Sequence, residues 1–309
     1  MTTLAALVGS CRSLTRVRLA DLAAMTKPRL NLLVLLATAA GFYLGAPGSV
    51  AFSPLAFTLL GTFLVASGAS VLNQVREREA DGRMRRTLER PLPTGRVLPG
   101  EAWVLGWLLA VTGTCTLALT ANQKAAGLAV LTLVLYLFLY TPLKRRTPLN
   151  TLVGAFPGAL PPLIGWAASG RLDAAAGTLF AIVFLWQMPH FLAIAWLYRH
   201  DYALGGFKML PVVEPGGRGT GWRVVLYAGA LVPIVWTPTL FGLTGSYYAA
   251  GSVALTLAFL GFAIHFAWNR SDVAARRLFL ASIIYLPLLL GLMILDKSGP
   301  LPDSFPMSP

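Results

Sequence analysis

The sequence predicts an all-α, polytopic membrane protein, nine transmembrane helices bundled around a central cavity. Three observations predict it. The 309-residue chain is 56% apolar and 12% charged, where soluble domains carry about a quarter charged residues. Apolar stretches long enough to cross a bilayer recur along its whole length, beginning with the charge-free run 30–72. These stretches are too long and leucine-rich for barrel strands, so the helix is the form in which the backbone satisfies itself in lipid.

In chain order the spans fall near 28–46, 52–75, 101–120, 125–142, 148–168, 174–198, 224–242, 246–268 and 277–295. Pro47-Gly48 ends the first, and the charges from Arg76 onward close the second. The fifth reads GAFPGALPPLIGW from Gly154 to Trp166, a Gly/Pro spacing that permits close helix contact and a broken helix lining a cavity. Pro189 predicts a kink in the sixth. The turn from Gly242 to Ser246 divides the charge-free run 224–269 into the seventh and eighth. The chain therefore divides into an N-terminal tail (1–24), one nine-helix domain (25–296) and a C-terminal tail (297–309).

The Lys/Arg distribution tests this layout. Of the 25 basic residues, 22 fall on one side: the N-terminal tail and the loops that follow the even-numbered spans. Only Lys124, Arg171 and Lys297 fall on the other. The N-terminus is then cytoplasmic and the C-terminus lies across the membrane. In a secretory signal the basic residues come first, whereas Arg12, Arg16 and Arg18 follow a short apolar start, so the opening residues read as a short cytoplasmic tail in preference to a mitochondrial presequence. Topology and attraction to anionic lipid account for the formal charge of +13, and no nucleic-acid partner is expected. Cys11 and Cys115 share no ligand spacing, no CxxCH occurs, and His190, His200 and His265 are too scattered for a histidine-held metal cluster.

What topology leaves unexplained is NQVREREADGRMRRTLERPLPTG, Asn73 to Gly95, with four carboxylates and six arginines after the long charge-free run. Asn73, Glu77 and Asp81 recur at i, i+4, i+8, one helical face with about 6 Å per step. Three oxygen ligands in a stripe at the membrane surface suit Mg²⁺, which takes few carboxylates and bridges to substrate phosphates. Arg83, Arg85, Arg86 and Arg90 follow, and guanidinium forks hold phosphate bidentately. Carboxylate, metal and arginine together describe a diphosphate site; the plainer reading is a helix end with local Glu–Arg pairs.

A second polar cluster lies on the same side, in WQMPHFLAIAWLYRHDYALGGFKMLP from Trp186 to Pro211. Gln187, His190, Ile194, Leu197 and Asp201 fall near one helical stripe. Asp201 at its cytoplasmic end completes the metal set from a facing helix. His190, about 16 Å deeper by helical rise, is an intramembrane ionisable residue with Gln187 beside it. Haem ligation and acid/base work are the sharper readings, a packing histidine the plainer one. In YTPLKRRTPLN, Tyr140 to Asn150, Lys144 and Arg145 either close over a diphosphate or simply stop transfer.

These strings carry a resemblance. NxxxExxxD followed by MRRTLERPLPTG resembles the first aspartate-rich motif of the intramembrane prenyltransferases, the UbiA superfamily. TKPRLNLL from Thr26 to Leu33, YTPLKRRTPLN, PPLIGW and WQMPHF are similar to the branch of that superfamily that prenylates haem, over about residues 20–295. The resemblance implies a nine-helix bundle in the bacterial inner membrane with its catalytic side toward the cytoplasm. It implies Mg²⁺, farnesyl diphosphate as donor, and haem B (protohaem IX) as the acceptor whose vinyl group gains a hydroxyethylfarnesyl chain, giving haem O. A haem A synthase is then a natural partner. Asn73, Glu77 and Asp81 take the metal positions, with Asp201 opposite; Arg86, Arg90, Lys144 and Arg145 take the diphosphate positions; His190 and Gln187 are the candidates for the haem. Many relatives carry DxxxD in the second motif, but Leu197 stands here where the first Asp falls, so either one tightly held Mg²⁺ or a second held mostly by diphosphate is expected. A sister enzyme acting on an aromatic acid or quinone precursor, a transporter and a non-catalytic oxidase assembly factor are the competing expectations.

Overall fold

The structure, a computed structural model, describes residues 19–298. The tail residues Arg12, Arg16 and Arg18, and the chain beyond Ser298, lie outside them. Among the described residues nine helices are long and apolar enough to cross a membrane. They are α1 Pro28–Gly45, α2 Phe52–Asp81, α3 Pro99–Thr120, α4 Gln123–Leu143, α5 Asn150–Ala168, α6 Ala174–Leu197, α7 Arg218–Leu240, α8 Ser246–Asn269 and α9 Asp272–Leu295. The chain is an integral, multi-pass membrane protein.

Three boundaries differ from expectation by five residues or more: the end of α2, the start of α7, which lies at Arg218 rather than 224, and the start of α9. Helix α2 runs six residues past 75 to Asp81, because its charged face is neutralised by neighbours rather than shed into solvent. Helix α9 begins at Asp272, where the Ser271 hydroxyl accepts the Ala274 amide at 3.2 Å and supplies an N-cap. Other ends obey ordinary capping chemistry. Asn122 Oδ1 accepts the Ala125 amide at 2.9 Å to start α4, and Glu101 returns a carboxylate to the Leu98 amide at 3.1 Å to start α3.

Lipid tails are as apolar as leucine, so helix association rests on close packing. The longest seam joins α2 to α3 through small residues. A Cβ on Gly68 would stand 2.6 Å from the Gly106 carbonyl oxygen, and one on Gly113 would stand 2.6 Å from that of Gly61. Helix α5 is broken at Leu160, between segments Asn150–Ala159 and Pro161–Ala168, as its prolines predict. Its second segment crosses α1 at backbone contact: a Cβ on Gly165 would strike the Thr38 carbonyl and one on Gly41 that of Pro162. Helix α6 continues through Pro189 as one element. Helices α6, α7, α8 and α9 supply most of the largest apolar core, with Trp186, Leu231, Phe266 and Leu289 buried, and Leu44 of α1 and Trp166 of α5 join it.

The last described residues close onto the first span. Lys297 Nζ donates to the carbonyls of Tyr43 and Ala46 at 2.7 and 2.8 Å and lies 4.7 Å from the Tyr43 ring centroid. A central cavity, expected from the sequence, is not shown among the described residues. At one end of the bundle the loops after α2 and α6 fold against each other. Met84 from the first loop and Ala80 of α2 itself pack with Tyr202, Phe207 and Met209 from the second, covering the end of α2.

Candidate active site

The inner face of the α2 extension carries Asn73, Glu77 and Asp81, exposed by only 2%, 6% and 1%. Their i, i+4, i+8 spacing puts them in one stripe, while Arg76, Arg78 and Glu79 point outward. A buried carboxylate without a partner is costly, and each has one. Lys144 Nζ lies 2.8 Å from Glu77 Oε1, and Arg90 Nη1 lies 2.7 Å from Asp81 Oδ2.

Asn73 sits between two fixed groups. Its Nδ2 donates to Glu77 Oε2 at 2.8 Å, and its Oδ1 accepts from Thr141 Oγ1 at 2.8 Å. The Glu77 carboxylate can only accept, which fixes the amide orientation, while the one Thr141 hydroxyl hydrogen is shared between Asn73 Oδ1 and the Tyr136 carbonyl, also at 2.8 Å. The result is a connected chain, Thr141–Asn73–Glu77–Lys144, between α2 and the end of α4. Lys144 also lies 4.5 Å from the Tyr140 ring centroid. Burial opposes its charge, but the adjacent Glu77 carboxylate prevails and holds its pKa above the ordinary lysine range.

The site contains a cation to which sequence reasoning gave no role. Lys27, in left-handed backbone at φ 50°, precedes Pro28 at the mouth of α1. Gln74 Nε2 fixes this turn by donating to the Met25 carbonyl at 2.8 Å, and Asn31 Nδ2 donates to that of Thr26 at 2.9 Å. Burial, together with the charges of Arg90 and Lys144, lowers the Lys27 pKa to about 8. The signals in the sequence were its place in TKPRLNLL and just before a helix-starting proline. Thr141 likewise lay within a motif already singled out.

The remaining predicted residues divide. Asp201 is brought to the same end of the bundle, but not as the end of a stripe on α6. That helix stops at Leu197, and Asp201 sits in a separate short helix, Arg199–Leu204, so the stripe from Gln187 to Asp201 is broken at Tyr198. Its Oδ1 accepts the Arg85 amide at 3.3 Å, joining the two long loops. Arg86 lies 5.0 and 4.7 Å from the ring centroids of Tyr198 and Tyr202, exposed above this junction. Arg145 is exposed and takes no ion pair among the described residues.

Gln187 and His190 do not converge. Gln187 Nε2 donates to the Ala155 carbonyl at 2.7 Å, so its amide stitches α6 to the first half of α5. His190 faces α9, with Nδ1 2.7 Å from Ser282 Oγ. Ser282 Oγ in turn donates to the Phe279 carbonyl at 2.6 Å, so it accepts from Nδ1–H. This chain fixes the imidazole as the Nδ1–H tautomer and leaves the lone pair on Nε2. The ring is stacked against Trp186 and Phe279 at centroid distances of 5.3 and 5.2 Å.

Among the described residues no three His, Cys, Asp or Glu side chains converge in a metal-binding group. The donor chemistry nevertheless fits a hard divalent cation: two carboxylates and an amide oxygen on one buried face. Their present partners, Lys144, Arg90 and Thr141, are side chains that a cation and an arriving anion can draw away.

Comparison with known proteins bears on this arrangement. Residues 34–286 match the UbiA prenyltransferase family. A protoheme IX farnesyltransferase from Solibacter usitatus is 45% identical over 289 residues, covering 90% of this chain and 99% of that protein. One from Salinibacter ruber is 46% identical over 277 residues, covering 89% and 98%. Among solved structures, a digeranylgeranylglyceryl phosphate synthase superposes with a TM-score of 0.75 at 16% identity, covering 90% of this chain and 98% of that one. A UbiA homologue from Archaeoglobus fulgidus bound to GPP and Mg²⁺ superposes at 0.65, also at 16% identity, covering 89% and 99%. At such identities the structural likeness establishes the fold.

Proposed function

Since this chain belongs to the UbiA prenyltransferase family and, within it, to the protoheme IX farnesyltransferases, we propose that it transfers the farnesyl group of farnesyl diphosphate to a vinyl group of protohaem IX. The product is haem O. The observation that carries this reading is the buried stripe Asn73–Glu77–Asp81 with Lys144 and Arg90 paired to its carboxylates.

When substrate arrives, Lys144 and Arg90 turn from the carboxylates toward the diphosphate, with Lys27 beside them and Arg86 and Arg145 at the rim. As the bond between farnesyl C1 and oxygen breaks, the electron pair leaves with the diphosphate, and these cations stabilise its charge where little water competes. Asn73, Glu77 and Asp81, with Asp201, are the residues that would hold Mg²⁺, which would supply further charge neutralisation. The vinyl π electrons form the new carbon–carbon bond to C1. Water adds to the resulting haem-side cation and loses a proton, which balances the hydroxyethylfarnesyl product. His190 offers Nε2 to the haem iron from its fixed tautomer. Gln187, which is spent on the α5 backbone, shapes the wall. The catalytic end faces the cytoplasm, in the inner membrane of a bacterial cell. The product stays in the bilayer, where a haem A synthase can collect it.

Membranes containing the protein test this directly. With haem B, farnesyl diphosphate and Mg²⁺, haem O should appear by chromatography with mass detection, and EDTA should suppress it. Folded protein that yields no haem O, but prenylates 4-hydroxybenzoate, would move the assignment to a sister enzyme. Absence of Mg²⁺-dependent turnover on either acceptor would favour a transporter or assembly factor.

A further inference from the structure

Pro142 lies two residues short of Lys144, inside the last turn of α4. A proline there has no amide to donate, and its ring clashes with the carbonyl four residues back. The helix responds by widening: residues Leu135–Tyr140 form a π turn, and the Thr141 amide bonds to the Tyr136 carbonyl, five residues back. In that register the carbonyl that residue 142 would satisfy is Leu137. It is left without its backbone donor by the proline. Arg76 supplies it: its Nη1 donates to the Leu137 oxygen, and its guanidinium lies 4.9 Å from the Phe138 ring centroid. The ordinary register resumes at once, with the Lys144 amide on the Tyr140 carbonyl at 3.2 Å.

The extra residue in the turn rotates the rest of the helix by about 100° relative to a straight one. Thr141 and Lys144 are the side chains so re-aimed. The first meets Asn73 at 2.8 Å and the second meets Glu77 at 2.8 Å. Arg76 belongs to the same helix as Asn73 and Glu77, one position from the latter. Helix α2 thus carries the oxygen ligands on its inner face and clamps the facing helix from its outer one. We infer that Arg76 is a positioning residue for the diphosphate site, acting through the π turn of α4 to aim Thr141 and Lys144. This role rests on the proposed assignment of that site to diphosphate.

The test uses the full chain in lipid nanodiscs and measures the dissociation constant for farnesyl diphosphate with Mg²⁺, beside thermal stability. Arg76→Met should weaken binding about tenfold, the loss of one charge-assisted hydrogen bond, while the protein still unfolds cooperatively. Pro142→Ala restores the missing amide. In that background Arg76→Met should cost less than about threefold, an outcome that a purely topological or lipid-binding role of the charge would not give. A Thr141→Val background should likewise mute the effect, because both changes act on one contact. Should Arg76→Met not fold, Arg76→Lys enters the same two cycles. Unchanged binding in Arg76→Met, or a loss that neither background relieves, overturns the inference. Wild-type protein that binds no farnesyl diphosphate overturns the proposed function and this inference together.

Discussion

Lys144 Nζ rests 2.8 Å from Glu77 Oε1, and these two charges, 67 residues apart in sequence, neutralise each other where both side chains are nearly buried. Removing one partner strands the other. Lys144→Met should destabilise the protein by about 3–5 kcal/mol, seen as a lowered unfolding midpoint. Adding Glu77→Gln should return most of that stability without returning activity. A double variant no more stable than Lys144→Met alone would show that the pair is not mutually dependent.

Asp81 is paired with Arg90 at 2.7 Å and is 1% exposed. Asp81→Asn keeps the shape and removes the charge that a divalent cation requires. Turnover should fall by about 100-fold or more, with little change in helical content by circular dichroism. Raising Mg²⁺ should recover part of the loss if the residue holds the metal; activity close to wild type would exclude that role.

Lys27 gives a pH-dependent signature. Its pKa is lowered to about 8 from 10.5, by burial and by Arg90 and Lys144, against the opposing pull of Glu77 and Asp81. This depression sets the sign. Above pH 10.5 the lysine is neutral in both states and folding carries no penalty. As pH falls toward 8 the unfolded chain takes up the proton first, so this contribution to stability is lost as pH falls through that window. A bound diphosphate reverses the local field and raises the Lys27 pKa. Near pH ~8.5, just above the depressed pKa, farnesyl diphosphate binding should therefore take up protons. Calorimetry in buffers of different ionisation enthalpy measures this, and Lys27→Met should abolish the uptake.

The Ser282 hydroxyl sets the His190 tautomer through a 2.7 Å contact. Ser282→Ala should weaken haem B binding by about 10–100-fold if His190 Nε2 meets the iron, as loss of an outer-shell partner does in metal sites. His190→Ala should remove the axial-ligand features of the bound haem spectrum and leave farnesyl diphosphate binding intact. Unaltered spectra in both variants would reduce His190 to a packing residue between Trp186 and Phe279.

The spans were legible because a bilayer demands about 20 apolar residues at a time, and Pro47-Gly48 or Gly242–Ser246 interrupts them visibly. The stripe Asn73–Glu77–Asp81 was legible for a similar reason: helical period alone puts the three on one face. The partners of these residues could not be read in the same way. Nothing local says that Lys144 meets Glu77 rather than a lipid phosphate, or that Lys27 is folded into the same cluster by Gln74. The stripe from Gln187 to Asp201 failed because periodicity presumes that the helix continues, whereas α6 ends at Leu197 and a new turn re-aims Asp201. Pro142 was visible in the sequence, but Arg76, which satisfies the Leu137 carbonyl, arrives from another helix.

The clasp of Lys297 on the Tyr43 and Ala46 carbonyls ties the end of the last span back to the first, and this lysine is made only after all nine spans. Until α9 has been threaded into the bilayer, the trailing end of α1 must leave those two carbonyls to water or to lipid headgroups. The leading helices therefore wait, inserted but unlatched, for a lysine made some 250 residues later. A chain cut short before residue 297 should insert its early spans normally and still be recognised by membrane quality control as unfinished.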